Sequence, residues 1–289
     1  MLDRKPMAAQ TESGVNYDPL ALDAIEHRFW REVWESVPAR VADEHGIELG
    51  RFGPVQATVV RDLAEVQMIN LLLGATDPGA VAGGELEAAI EWARDRGVDP
   101  YVPVTPGLST TGEAETFLRG AGFAPGYGWM KFVRDAHPPR FSPPSDVEVV
   151  ELTGPDEHPF AAIVAAGFGL PAWCAELFAA LPGRADWRCY VALVDGEAQA
   201  TGAMVLDTGI AELGMAATLE PARRRGCQAA LLHRRIVDAA AAGCELLFVE
   251  TGERVPGRPS NSYRNILRAG FEEAYLCPNW GAAGPETDP

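Results

Sequence analysis

Two stretches of this chain carry nearly the same text in its two halves: "FLRGAGF" at 117–123 and "ILRAGF" at 266–271. A second echo pairs "GATDP" at 74–78 with "AATLEP" at 216–221. Such matches are weak singly, but these fall at corresponding places in two similar orders of predicted elements. A duplicated fold is the economical reading. The length, 289 residues, agrees with it, since one hydrophobic core seldom keeps growing over so long a chain.

The order of elements can be read from periodicity. After a polar start, "LALDAIEHRFWREVWESV" spaces Ile25, Phe29, Val33 and Val37 at helical intervals, with Trp30 and Trp34 widening the apolar face as core residues. From Gly53 the pattern turns to strand-like runs, "GPVQATVV" and "AEVQMINLLLGA". A helix "GELEAAIEWARDRG", a short strand "PYVPV", a helix around "EAETFLRGAGF" and a strand "YGWMKFVRD" follow. "AHPPRFSPPSD" is rich in proline and lacks an apolar face, so it reads as a linker. The expected division is a first domain over 1–135, a linker over 136–146 and a second domain over 147–289. The second half repeats the order: a strand "VEVVEL", helices "HPFAAIVAAGFG" and "AWCAELFAAL", a hairpin turning at "DGE", and a strand "GIAELGMAAT". A helix "CQAALLHRRIVDAAAAG", a strand "CELLFVE", a short helix "SYRNILRAGF" and a last strand complete it. The class expected is α/β, of the α+β kind.

Composition excludes several classes of function. A hydrophobic fraction of 47% with 22% charged residues belongs to a folded protein. No apolar run approaches the roughly 20 residues that span a bilayer, and the start lacks the apolar core of a secretion signal, so a cytoplasmic protein without membrane attachment is expected. Cys174, Cys189, Cys227, Cys244 and Cys277 stand singly, in no metal-site spacing, and read as small core residues. His27, His45, His137, His158 and His233 are dispersed and read as surface or capping residues. A net charge of -17 repels a phosphate backbone and argues against nucleic acid. GxSxG, HExxH and GxxxxGK[ST] patterns are all missing.

Against that acidic background stands "ATLEPARRRGCQAALL", residues 217–232, with three consecutive arginines between a strand and an alanine-rich helix. A helix N-terminus leaves backbone N–H groups unpaired and carries partial positive charge, which suits phosphate. Gly226 lets the backbone approach closely, and the arginines neutralise a diphosphate. A solvated basic loop is the competing reading. It leaves the neighbouring proline, glycine and alanine helix without a purpose.

At these residues the chain resembles the GNAT superfamily of acyl-CoA N-acyltransferases, whose loop has Arg or Gln, two residues, Gly, one residue, then Gly or Ala. Here that runs Arg223, Arg224, Arg225, Gly226, Cys227, Gln228, and Gln228 departs from the small residue at the last position. "SYRNILRAGF" resembles the family's closing helix. The resemblance covers residues 147–280, and the first half resembles a worn copy. It implies two tandem GNAT-like domains, each a mixed, mostly antiparallel sheet flanked by helices. It also implies acetyl-CoA as co-substrate, held by Ala216, Ala217, Thr218, Arg223, Arg224, Arg225, Gly226, Gln228, Ala229, Ser262 and Asn265. In the first copy the matching loop has no arginine and puts Glu85 and Glu87 at the helix start, so no CoA is expected there.

The activity implied is direct transfer of the acetyl group to an amine of a small molecule or peptide. Glu212 is the first candidate base. Strand alternation places it on one face with Gly214, Ala216 and Thr218, although a carboxylate on a solvated strand face reads the same way. Glu250, at the end of the next strand, is the second candidate, with loop capping as its alternative role. The tyrosine that the family places four residues before the closing glycine is Ile266 here, so the usual thiolate acid is missing. Tyr263 and Tyr275 are nearby, and either reads equally as a packing residue. Cys227, at the helix start beside arginines, is in a setting that lowers a thiol pKa, but the same helix start is the one assigned to phosphate. A non-catalytic acyl-CoA-binding sensor or partner-binding module is the alternative function.

Overall fold

The computed structural model describes residues 8–108, 112–154, 159–257 and 260–283; His158 lies outside them. Along the first half these form β1 (Ala9–Gln10), β2 (Asn16–Tyr17), α1 (Pro19–Glu35), α2 (Ala39–His45), β3 (Ile47–Phe52), β4 (Val55–Val60), β5 (Leu72–Leu73), α3 (Glu85–Arg94), β6 (Val102–Pro103), α4 (Glu113–Gly120), β7 (Phe123–Pro125) and β8 (Trp129–Asp135). The second half contributes β9 (Val147–Leu152), α5 (Phe160–Gly167), β10 (Trp187–Val194), β11 (Glu197–Asp207), β12 (Ile210–Thr218), α6 (Cys227–Ala241), β13 (Leu246–Gly252), α7 (Asn261–Arg268), β14 (Glu272–Cys277) and β15 (Asn279–Ala282). The second helix expected after β9 is a short 3-10 segment, Ala172–Leu177. Among the described residues no helix is long and apolar enough to cross a membrane.

The chain divides into two compact units that do not follow the order of the sequence: Met1–Pro38 with Lys131–Ala274, and Ala39–Met130 with Tyr275–Pro289. The first unit is built on a seven-stranded sheet in the order β14-β8-β13-β12-β11-β10-β9. β9 to β12 are antiparallel neighbours, and β13 joins β12 in parallel. A parallel pair needs a crossover connection, and α6 supplies it. α6 buries Cys227, Ala230, Leu231, Leu232, Arg235, Ile236 and Ala239, a stripe at three- and four-residue spacing. The β10–β11 hairpin turns at Asp195 and Gly196, with φ of 54° and 83°, the left-handed pair that a two-residue type I′ turn requires.

In the second unit the sheets β3-β4-β5 and β6-β15-β7 are joined by a parallel bridge between Leu71 and Tyr101. Their core gathers Val55, Leu72, Leu86, Ile90, Val102, Leu118, Phe123 and Trp280. The run β5-α3-β6-α4-β7 repeats β12-α6-β13-α7-β14; the echoes at 117–123 and 266–271 end the matching helices α4 and α7, and those at 74–78 and 216–221 fall at the ends of β5 and β12.

One inner strand of each unit comes from the other half of the chain. β8 lies between β13 and β14, and β15 lies between β6 and β7. Each insertion satisfies backbone groups that two open edges would expose. This exchange, together with the placement of residues 1–38 in the first unit, is how the compact units differ from the linear division 1–135, 136–146 and 147–289. Arg134 of β8 secures its strand by donating to the carbonyls of Ala269 and His137, both at 2.5 Å.

α1 belongs to the first unit. Asp18 accepts from the Leu20 amide at 3.0 Å and Pro19 takes the first turn, a start that needs no neighbour. Its buried face includes Ile25, Phe29, Trp30, Val33 and Trp34, as the spacing predicts, and Phe29 meets Trp187 with ring centroids 4.7 Å apart.

Candidate functional site

The site is made by two parallel strands that part company. β12 and β13 pair from Ile210↔Leu246 to Leu213↔Val249, and beyond Leu213 the two strands have no shared register. On its other side β12 continues against β11, but Gly214 faces Ala203 while Ala217 faces Thr201, so β12 carries one extra residue. This is a β-bulge, and Met215 takes a φ of 49° within it. Thr201 Oγ1 donates to the Met215 carbonyl at 3.0 Å, and Arg235, fully buried on α6, donates to the carbonyls of Ala203 at 3.1 Å and Gly214 at 3.3 Å. Burial holds the Arg235 guanidinium down to about 10.

The bulge corrects one sequence expectation. An inserted residue reverses the sides of everything after it, so Glu212 and Gly214 share their face with Ala217, not with Ala216 and Thr218. Ala217 packs on Gly167 of α5, and Gly214 lies under Phe29, whose Cζ would stand 2.5 Å from any added Cβ.

At the end of β12 the chain turns through Pro221 into the arginine loop. Arg224 and Gly226 are both left-handed, with φ of 67° and 86°. At Gly226 a side chain would also collide with the ring of Pro144, so glycine is required twice over. The first bond of α6 runs from the Ala230 amide to the Gly226 carbonyl at 3.0 Å, and no side chain caps the helix. Among the described residues, no bond takes up the amides of Gly226, Gln228 and Ala229.

In front of these amides opens a cleft of about 1050 Å³. Ala216, Ala217, Thr218, Arg223, Arg224, Gly226, Gln228, Ala229, Ser262 and Asn265 all line it, brought together from β12, α6 and α7. Gln228, the residue that departs from the pattern, turns its amide back to donate to the Ala217 carbonyl at 3.1 Å and to Thr218 Oγ1 at 2.9 Å, so it occupies one backbone acceptor itself. Arg225 is the correction within this set. It does not line the cleft but pairs with Asp195 at 3.0 Å and Asp146 at 3.5 Å, fixing the base of the loop.

The two candidate glutamates lie in a separate, largely buried cluster and do not line the cleft. Lys131 Nζ, from β8, pairs with Glu26 of α1 at 2.7 Å and with Glu250 of β13. Glu250 keeps partial access to solvent, whereas Glu212 is 3% exposed and its Oε2 has no partner. Burial first, then the charges of Glu26 and Glu250, push Glu212 well above the usual carboxylate range. Burial likewise raises Glu26 to about 8. Glu212 is therefore not the solvent-facing carboxylate that the strand pattern allowed.

Ile266 is a core residue. Tyr263 is buried too, and its hydroxyl donates to Glu273 at 2.5 Å. Cys227 is buried and its thiol is raised by that burial, the reverse of an activated nucleophile. All five cysteines are free and buried, as expected of core residues.

Sequence reasoning missed several lining residues, notably Phe141, Phe168, Arg264 and Arg268. The signal for the arginines was present: Asn261, Arg264, Asn265 and Arg268 recur at three- and four-residue spacing on one helix face. Phe141 gave none, because its proline-rich surroundings read as linker.

The sequence matches no protein-family model and no curated protein. Among solved structures the chain is similar to a GCN5-related N-acetyltransferase from Kribbella flavida, at 18% identity over 89% of this chain and 96% of that one, with a TM-score of 0.58. It is also similar to a GCN5-related N-acetyltransferase from Sphaerobacter thermophilus (17% identity, 83% of each chain, TM-score 0.56). A tandem GNAT protein from the clavulanic acid biosynthesis pathway matches 80% of this chain and 79% of its own at 15% identity, with a TM-score of 0.52. At such identities the likeness establishes the fold, a mixed α/β fold of mostly antiparallel sheets flanked by helices.

Proposed function

We propose that this chain, which carries the fold of the GCN5-related N-acetyltransferases, is an acyltransferase that uses acetyl-CoA to acylate an amine of a small molecule or peptide. The observation that carries this reading is the cleft where β12 and β13 diverge. An uncapped helix start, a glycine that tolerates no side chain, and two cleft-facing arginines converge there on the place for a diphosphate. The bulge at Met215 precedes Ala216, Ala217 and Thr218, which line the same cleft, and their backbone amides are assigned to the oxyanion.

Bound there, the thioester supplies the acyl group: the amine nitrogen forms the new bond to the carbonyl carbon, the C–S bond breaks, and the thiolate takes up a proton. Removing the proton from the amine is assigned to Glu250 through intervening water, since Glu250 does not itself line the cleft. Of the two glutamates it alone keeps access to solvent, and Lys131 fixes its carboxylate. Glu212, buried and with its carboxyl pushed upward by that burial, is given no part in proton transfer.

A second reading has specific support. The buried Ile266 at the position of the family's tyrosine, together with the buried Glu212, suits a non-catalytic acyl-CoA binder. Release of free CoA from acetyl-CoA over a panel of amines separates the two. Turnover that falls about a hundredfold in Glu250→Gln with unchanged acetyl-CoA affinity supports the transferase. Tight binding with no turnover on any amine supports the binder.

A further inference from the structure

The chain carries far more acid than base, and most of its arginines are matched to carboxylates. Arg28, Arg61, Arg96, Arg184 and Arg234 are examples in both units. Four arginines on the cleft are exceptions. Among the described residues no carboxylate pairs with Arg223, Arg224, Arg264 or Arg268, and all four line the same space. Two belong to the loop before α6. The other two stand one turn apart on α7, and Arg264 is oriented by a bond to Asn261 Oδ1 at 2.5 Å. An acidic protein that leaves four guanidinium groups unneutralised around one cleft concentrates positive potential there.

The two pairs sit on different elements and answer to different backbone settings. Arg223 and Arg224 flank the unbonded amides at the start of α6, a combination that suits the diphosphate. Arg264 and Arg268 have no such amides beside them. Exposed side chains with neutral neighbours on a helix face suit a compact, freely approaching group of higher charge, such as a phosphate monoester with about −1.5 to −2 charges at neutral pH.

We propose that Arg264 and Arg268 form a second anion subsite that binds the 3′-phosphate of the CoA ribose, making the cleft selective for CoA over 3′-dephospho-CoA. The inference rests on reading the cleft as a CoA site. It goes beyond that reading, because the loop before α6 alone would hold either molecule. An anionic group on the acceptor is the other source that such a pair could serve, and the comparison of the two coenzymes distinguishes it.

The test is calorimetric titration of the full chain at low salt with CoA and with 3′-dephospho-CoA, repeated on R264Q/R268Q. Glutamine keeps helix propensity at two exposed positions, and circular dichroism checks the fold. The expected result is CoA binding about tenfold or more tighter than dephospho-CoA in the unsubstituted protein. In the variant that preference is lost while dephospho-CoA affinity stays the same. Equal affinities in the unsubstituted protein overturn the subsite and leave the transferase reading standing, as does a preference that survives the double substitution. Failure of both coenzymes to bind overturns the subsite and the transferase reading together.

Discussion

The entrances to α6 and α3 are the same backbone device given opposite charge. Each helix begins after a glycine in the left-handed region, Gly226 with φ 86° and Gly84 with φ 81°, and neither start is capped by a side chain. Before α6 stand three arginines, and in front of it lies an open cleft. After Gly84 come Glu85 and Glu87, and the Glu85 carboxylate folds back so closely that a methyl group on Gly83 would collide with it. One oxygen of that carboxylate is buried with no partner. The positive end of α3 thus faces the protein's own negative group. Fold and helix dipole are shared by both units, so they do not decide where an anion binds; the side chains do.

Charge reversal is the strongest way to break this comparison. R223E/R224E gives the α6 entrance the character of the α3 entrance and should weaken CoA binding by about a hundredfold or more, since two charge-assisted hydrogen bonds of about 1.5–3 kcal/mol each become repulsions. Calorimetry reads this directly, and an unchanged affinity would mean that the arginines never meet the ligand.

Backbone substitution sharpens it. Gly226→Ala combines a left-handed residue with a clash on Pro144, and should cost about 1–2 kcal/mol of stability and about tenfold in CoA affinity. Gly83→Ala meets only the movable tip of Glu85 and should change neither. Denaturant titration alongside ligand titration checks the pair, and equal effects at the two glycines would count against separate roles.

The first unit also buries carboxyl groups whose titration reads out in stability. In the first unit burial raises Glu26 from an ordinary 4.5 to about 8, and raises Glu212 as well, with Lys131 and Glu250 facing both and Asp23 near Glu26. A carboxyl raised in the folded state keeps a proton that the unfolded chain has already released. Its stabilisation is complete below pH 4.5 and falls as pH rises toward about 8, by up to about 1.4 kcal/mol per pH unit. Unfolding free energies measured across that window should therefore decline, and Glu26→Gln should flatten the decline. An unaltered slope in the variant would place the proton uptake elsewhere.

The smallest expected effect is at Glu85. Removing its charge in Glu85→Gln leaves the α3 loop without arginines, so the chain should still bind a single CoA. A second binding event in that variant would show that the carboxylate alone excludes the ligand.

Much of this was legible in the sequence because it depends on local chemistry. The helix of Ile25, Phe29 and Val33, the Asp-Gly hairpin turn, and the strand, arginine loop and helix order all arise from neighbouring residues. The cleft residues from Ala216 to Ala229 follow for the same reason. What escaped needed distant partners. No periodicity announces that β8 and β15 exchange places, because any strand fits an open edge of matching length. The bulge at Met215 depends on Arg235 and Thr201 reaching it from other elements, and it alone moves Ala216 off the face of Glu212. Arg225 reads like its two neighbours until Asp146 and Asp195 fold beside it. The burial of Glu212 depends on α1, more than 170 residues earlier in the chain.

Hydrogen–deuterium exchange with and without CoA tests the central contrast most directly, because it reads both helix entrances in one sample. Slowed exchange confined to the amides of residues 216–229 and the start of α7, with residues 83–88 unchanged, is the expected result. Protection at 83–88, or none at 223–229 under saturating CoA, would contradict it.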